Sequence, residues 1–145
     1  MDDNLNPIID TARGAGTSRV VVTIPPDPDR LELLRSVATA LAVALDFDID
    51  TLADLRMAVD ELCSIAMKRA RPDGDMCVHF ETGDGAVSVL AEVPVSEPAT
   101  VDENSFGWMV LQTLADSVAW AAHSGGAENQ RLEVRLRMRR SQEPQ

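Results

Sequence analysis

Residues 51–93, TLADLRMAVDELCSIAMKRARPDGDMCVHFETGDGAVSVLAEV, change hydrophobic period partway along, and that change decides the fold class. Leu52, Leu55, Val59, Leu62 and Ala66 recur at steps of three and four, which predicts an amphipathic helix to about Ala70. Thr51 with Asp54 three residues on gives a capping-box-like start, and Pro72 with Gly74 closes the helix. Met76 to Glu81 and Ala86 to Val93 then read as strands. They flank Thr82-Gly83-Asp84-Gly85, residues that tolerate positive φ, so the pair forms a hairpin.

The same reading extends outward in both directions. Residues 1–18, rich in Asp, Asn, Gly and Thr, read as a mobile tail. Arg19 to Ile24 (RVVVTI) is a β-branched strand stopped by Pro25 and Pro26. Asp27 caps a helix with Pro28 at its first position, and Leu31, Leu34, Ala38, Leu41 and Leu45 carry that helix to about residue 45. Leu33, Val37, Ala40 and Ala44 add a second apolar stripe. A helix apolar on two sides needs two neighbours. The second is either another helix of this chain or a partner protein. Downstream, residues 94–104 form a loop. Asn104 or Ser105 caps a third helix with Phe106, Val110, Leu111, Leu114 and Val118 along it, and Val118 to His123 then pairs with Arg131 to Met138 as a second hairpin. The order β, α, α, β, β, α, β, β predicts an α+β two-layer sandwich. Its mixed or antiparallel sheet has about five strands with three helices on one face. Residues 19–140 form one domain, and residues 141–145 are a second tail.

Composition narrows the function classes. The chain has 145 residues, is 45% hydrophobic and carries a net charge of −11, values typical of a soluble globular domain. Cys63 and Cys77 lack CxxC spacing, and the acidic N-terminus does not read as an export leader, so both thiols are expected to be free in a reducing cytoplasm. No stretch reaches the length of a membrane span. The acidic balance argues against a direct grip on nucleic acid. From Pro72 to Gln130 there is no Lys or Arg, while ten acids lie there. That acidity serves either solubility or the docking of a basic protein. The final segment reverses sign with Arg131, Arg135, Arg137, Arg139 and Arg140, and reads as a basic strand edge that discourages aggregation. His79 has no partner at metal-ligand spacing, and Trp108 and Trp120 read as core or interface anchors.

Two segments carry a family resemblance. DLRMAVDELCSIA (54–66) resembles the first nucleotide-site box of the GHKL ATPases in their small bacterial form, the RsbW-type anti-sigma factors that are also serine kinases. In that box a helix carries Glu and, four residues later, Asn. NSFGWMVLQTLADSV (104–118) is similar to the family helix that begins Gly-Leu-Gly and ends Leu-Met-Asp-Glu-Val. The order of elements agrees over residues 19–138, and the pattern is most like the actinobacterial branch, where catalytic motifs tend to be eroded. The resemblance implies a GHKL (Bergerat-like) fold that binds ATP and Mg²⁺.

Carried over residue by residue, the resemblance places Glu61 at the general base and Ile65 where the family has its Mg²⁺-ligating Asn. Glu92 opens the segment that stands in place of the Asp-x-Gly-x-Gly box, and Gly107 matches the second glycine of the last box. These departures imply a degenerate ATP site at Glu61, Ile65, Glu92 and Gly107. Arg35 occupies the position of the sigma-contacting arginine on the first helix, with Arg30 five residues before it. The implied function is sequestration of an alternative sigma factor in the cytoplasm, relieved by an anti-anti-sigma partner of the STAS type. The alternative is an active serine kinase that phosphorylates that partner. The family also tends to dimerise, which the two-sided first helix allows.

Overall fold

The computed structural model describes residues 17–126 and 129–141. Most of the first expected tail (1–16), most of the second (142–145) and residues 127–128 of the last turn lie outside the described residues. Ser18, expected in the tail, already belongs to a strand.

Five strands form one sheet: β1 (Ser18–Ile24), β2 (Met76–Gly83), β3 (Ala86–Pro94), β4 (Ser117–Ser124) and β5 (Gln130–Arg139). Their order is β1-β2-β3-β5-β4, with every neighbouring pair antiparallel. Three helices are interspersed: α1 (Leu31–Ala44), α2 (Ile49–Arg69) and α3 (Phe106–Leu114). The period-2 pattern of the strands sets the layers. Val78, Phe80, Val89, Ala91, Val134 and Leu136 are buried on one face, in one core with Leu34 and Ala38 of α1, Leu55 and Leu62 of α2, and Leu111 of α3. The alternate residues form a face that no helix of the described residues covers.

Local chemistry explains the boundaries and corrects three expectations. The carboxylate of Asp48, not Thr51, caps α2, accepting the Thr51 N–H at 2.7 Å, so the helix starts three residues earlier than the apolar period indicates. That bond holds the Asp48 carboxyl below its ordinary pKa. The start of α1 agrees better. Asp27 caps a short 3₁₀ turn, Pro28–Arg30, that runs directly into α1. At the other end α3 stops at Leu114, because Ala115 turns extended and Val118 pairs with Leu136 of β5 instead. The third correction concerns β5. It lies between β3 and β4, so its basic run is on an inner strand and guards no edge. In the first hairpin the strands extend to Gly83 and Ala86, leaving only Asp84 (φ 54°) and Gly85 (φ 71°) in a two-residue turn.

The link from α1 to α2 turns on Asp46. Its N–H donates to Val43 O at 3.1 Å, the Phe47 N–H donates to Ala42 O at 3.0 Å, and Asp46 itself takes φ 60°. This is a Schellman cap with an aspartate at the position that favours glycine. Asp46→Gly is expected to raise the unfolding midpoint in urea. Asp46→Val, which forces a β-branched side chain into the left-handed region, is expected to lower stability by about 1–2 kcal/mol.

Candidate functional site

The site is assembled where α3 starts against α2. Glu61 and Ile65 are four residues apart on α2 and so share one side of it. Ser105 caps α3 by accepting the Trp108 N–H at 3.2 Å, which fixes where its first turn begins. Gly107 sits in that turn. A Cβ added there would lie 2.8 Å from Glu61 Oε1 and 3.8 Å from Ile65 Cδ1. Three residues that are 4 to 46 positions apart in sequence are thus brought together, and the glycine permits the close approach. Met57, one turn before Glu61, and Phe106 and Met109 of α3 are exposed apolar side chains of the same two helices. Trp108 is buried, with no hydrogen-bond partner at its indole Nε1.

Glu92 is not part of this cluster. On β3 its neighbours Ala91 and Val93 face the helices, so Glu92 points to the helix-free face, where it forms an ion pair with Arg131 of β5. Strand parity alone gives this placement, since a residue between two buried neighbours in a strand faces the other way.

Arg35 is tied between two helices. Its Nη1 donates to Asp60 Oδ1 of α2 at 2.6 Å, while Nε and Nη2 donate to Glu32 Oε1 at 3.2 and 2.7 Å. Hydrogen bonding to Arg35 pulls the Glu32 carboxyl below its ordinary pKa, and Glu32 and then Asp60 raise that of Arg35. Arg30, at the end of the 3₁₀ turn, is exposed. Along α1 only Leu34, Ala38 and Ala42 are fully buried. Of the second stripe, Val37 packs half-buried against the core, while Leu33, Ala40 and Ala44 are exposed, as is Val43 beside them, with no covering helix among the described residues. Asp60 is the partner that sequence reasoning missed, because no spacing rule connects residues on two different helices.

The remaining candidates have structural settings. Burial pushes the Cys63 thiol up to about 12, so it stays protonated and unreactive. Cys77 is half-buried on the helix-free face, 3.4 Å from His79 Nε2. His123 pairs with Glu133 at 3.3 Å, and the Trp120 indole donates to Glu103 at 2.7 Å. Among the described residues no group of three or more His, Cys, Asp or Glu is arranged to hold a metal ion, and no helix is long and apolar enough to cross a membrane.

Known proteins resemble this chain along nearly its whole folded length. Residues 24–138 match the family described as the histidine kinase-like ATPase domain. An anti-sigma-F factor RsbW of Mycobacterium tuberculosis is 34% identical over 106 residues, covering 73% of this chain and 63% of that protein. The chain therefore spans less than two thirds of that relative's length. A serine-protein kinase RsbW of Bacillus subtilis is 23% identical over 127 residues, covering 73% of this chain and 79% of that protein. The crystal structure of the RsbU and RsbW domains of a Mycobacterium tuberculosis protein superposes with a TM-score of 0.64 at 17% identity, over 88% of this chain and 34% of that one, a likeness of fold. The match over residues 24–138, the five-stranded sheet under three helices and the RsbW relatives agree, and the chain belongs to the histidine kinase-like ATPase domain family.

Proposed function

We propose that this domain is an anti-sigma factor that sequesters an alternative RNA polymerase sigma factor in the cytoplasm and yields it to an anti-anti-sigma partner of the STAS type. The observation that carries this reading over the kinase reading is Ile65, whose Cδ1 flanks Gly107 beside the Glu61 carboxylate. Mg²⁺ demands oxygen ligands, and an isoleucine supplies none. Trp108 Nε1, the orphaned polar atom one residue beyond Gly107, is a donor and cannot ligate a cation. The stretch 72–130 offers no Lys or Arg to offset a triphosphate. These residues do not fit a magnesium–triphosphate group, and the ATP site is degenerate.

What remains is a binding surface. Arg35 and Arg30 stand at the start of α1, and the exposed apolar side chains Leu33 and Val43 lie along it. This surface takes the sigma factor, and its uncovered stripe also leaves room for a homodimer contact. The acidic segment 72–130 favours a partner whose DNA-binding regions are basic.

The kinase reading keeps one favourable observation, the Glu61 carboxylate at the general-base position beside Gly107. A thermal melt with Mg-ATP separates the two. A bound nucleotide at 100 times its dissociation constant adds about 2.7 kcal/mol, a rise of roughly 5–10 °C for a domain of this size. The degenerate site is expected to give less than about 1 °C. Immobilised chain is expected to retain a cognate sigma factor and block its transcription. Failure to bind any candidate sigma factor, or a full nucleotide shift with phosphate transfer to a STAS partner, overturns the reading.

A further inference from the structure

An inner strand with a basic outer face needs an explanation other than edge protection. Leu132, Val134, Leu136 and Met138 of β5 are buried under the helices, so Arg131, Glu133, Arg135, Arg137 and Arg139 project from the helix-free face. Pairing divides the charges there into two groups. Arg131 pairs with Glu92 and Arg19 of β1 with Glu81 of β2 at 3.2 Å, while Glu133 lies 3.3 Å from the imidazole of His123, which balances its charge only when protonated. The guanidinium groups of Arg135, Arg137 and Arg139 form no ion pair among the described residues.

The cross-strand neighbours of these three arginines are neutral. Leu90 and Ala119 flank Arg135, Ser88 and Ser117 flank Arg137, and Ala86 lies beside Arg139. Arg139 donates only its backbone N–H to Asp116, and Asp84 shares a hollow of about 350 Å³ with Arg137, Arg139 and Arg140. The result is a line of guanidinium groups without ion-pair partners on a chain of net charge −11, along a shallow cup of about 650 Å³ whose floor includes Leu90 and Ala119 and whose carboxylates are Glu81 and Glu92, each held by an arginine, and Glu133.

We propose that this face docks an acidic segment of a partner protein, whose carboxylates lie along β5. Alternate residues of a strand are about 6.7 Å apart, so the three arginines span roughly 13 Å, too far for one carboxylate or phosphate to bridge. An acidic segment repeats at the same interval, with alternate residues of an extended chain or every fourth residue of a helix, about 6 Å apart. Planar guanidinium groups pair bidentately with carboxylates, and Leu90 and Ala119 give the intervening apolar side chains a floor. Both backbone edges of β5 are already paired, so the partner is held by side chains and adds no strand. The surface lies on the opposite side of the sheet from α1 and from the Glu61–Gly107 cluster. It does not depend on the anti-sigma reading.

The test uses the full chain and a fluorescein-labelled nine-residue peptide of alternating glutamate and valine, followed by anisotropy at 100 mM salt, where the chain's remote acids are screened. A lysine-for-glutamate peptide and a nine-nucleotide oligo-dT serve as the other probes. The acidic peptide is expected to bind at sub-millimolar concentration and to shift β3 and β5 amide resonances. The double substitution Arg135→Glu with Arg137→Glu is expected to weaken it by about tenfold or more. The neutral pair Arg135→Gln with Arg137→Gln, which keeps most of each stem, is expected to weaken it in the same direction and decides the matter should the reversed pair not fold. Equal peptide binding by the Gln pair overturns the proposal. So does tighter binding of oligo-dT or of the lysine peptide, no binding of the acidic peptide at all, or self-association of the chain that the same substitutions abolish.

Discussion

Leu62→Ala is expected to destabilise the protein by about 3–5 kcal/mol, a fall in melting temperature of roughly 10 °C or more. Leu62 is fully buried on α2, in one core with Phe80 and Val89 of the sheet and Leu34 of α1. Truncation removes the transfer free energy of its branched end and leaves a cavity that α2, held on both sides, cannot readily fill. A domain of this size has a net stability of about 5–15 kcal/mol, so the loss is a large fraction of the whole. Met57, five residues earlier on the same helix, is 53% exposed, and Met57→Ala is expected to change stability by no more than about 0.5 kcal/mol. Paired urea titrations of the two variants check the face of α2 directly. Similar midpoints would mean that the buried face of α2 is wrongly assigned, and with it the direction in which Glu61 points.

That face was legible in the sequence because a helical period survives any packing arrangement. Leu55, Val59, Leu62 and Ala66 define it without reference to the rest of the chain. The start of α2 was less legible. The apolar period begins at Leu52, but the cap is set by Asp48, whose carboxylate reaches the Thr51 N–H through residues that carry no periodic signal. Strand order was hidden for a different reason. A terminal hairpin can join a sheet by either of its strands, and only the amount of burial separates them. Leu132, Val134, Leu136 and Met138 on β5 are more apolar than Val118, Trp120 and Ala122 on β4, a difference that in retrospect marks β5 as the inner strand. The basic run therefore reads as an edge until the topology shows otherwise.

The candidate site was legible in proportion to how local its residues are. Glu61 and Ile65 share a helix side by spacing alone. Gly107 joins them only through the resemblance, because nothing in its own neighbourhood predicts contact with α2. Glu92 shows the opposite case. Strand alternation between Ala91 and Val93 already turns it away from the helices, and the family resemblance alone groups it with Glu61, Ile65 and Gly107.

On the proposed anti-sigma reading, Arg35→Glu is expected to weaken binding of a sigma factor by about 30-fold or more, the loss that accompanies removal of one member of a desolvated, hydrogen-bonded charge pair at an interface. A guanidinium has five N–H donors. In Arg35 three of them are engaged by Glu32 and Asp60, which hold the side chain in one orientation and leave two for a carboxylate of the partner. Holding the side chain in place beforehand lowers the ordering entropy that binding would otherwise require. Arg30 is exposed on the preceding turn, and Arg30→Glu is expected to change affinity by only a few fold, mostly through the association rate. Reversal at Arg35 also sets three acids side by side, so a loss of affinity could reflect a displaced α1. The exchange Arg35→Asp with Asp60→Arg separates the causes, because it restores an ion pair between the helices but moves the guanidinium to α2. If Arg35 contacts the sigma factor, the exchanged protein melts near the native temperature and still fails to bind. If the exchange restores both melting and binding, Arg35 serves the α1–α2 junction alone and is not the proposed partner contact.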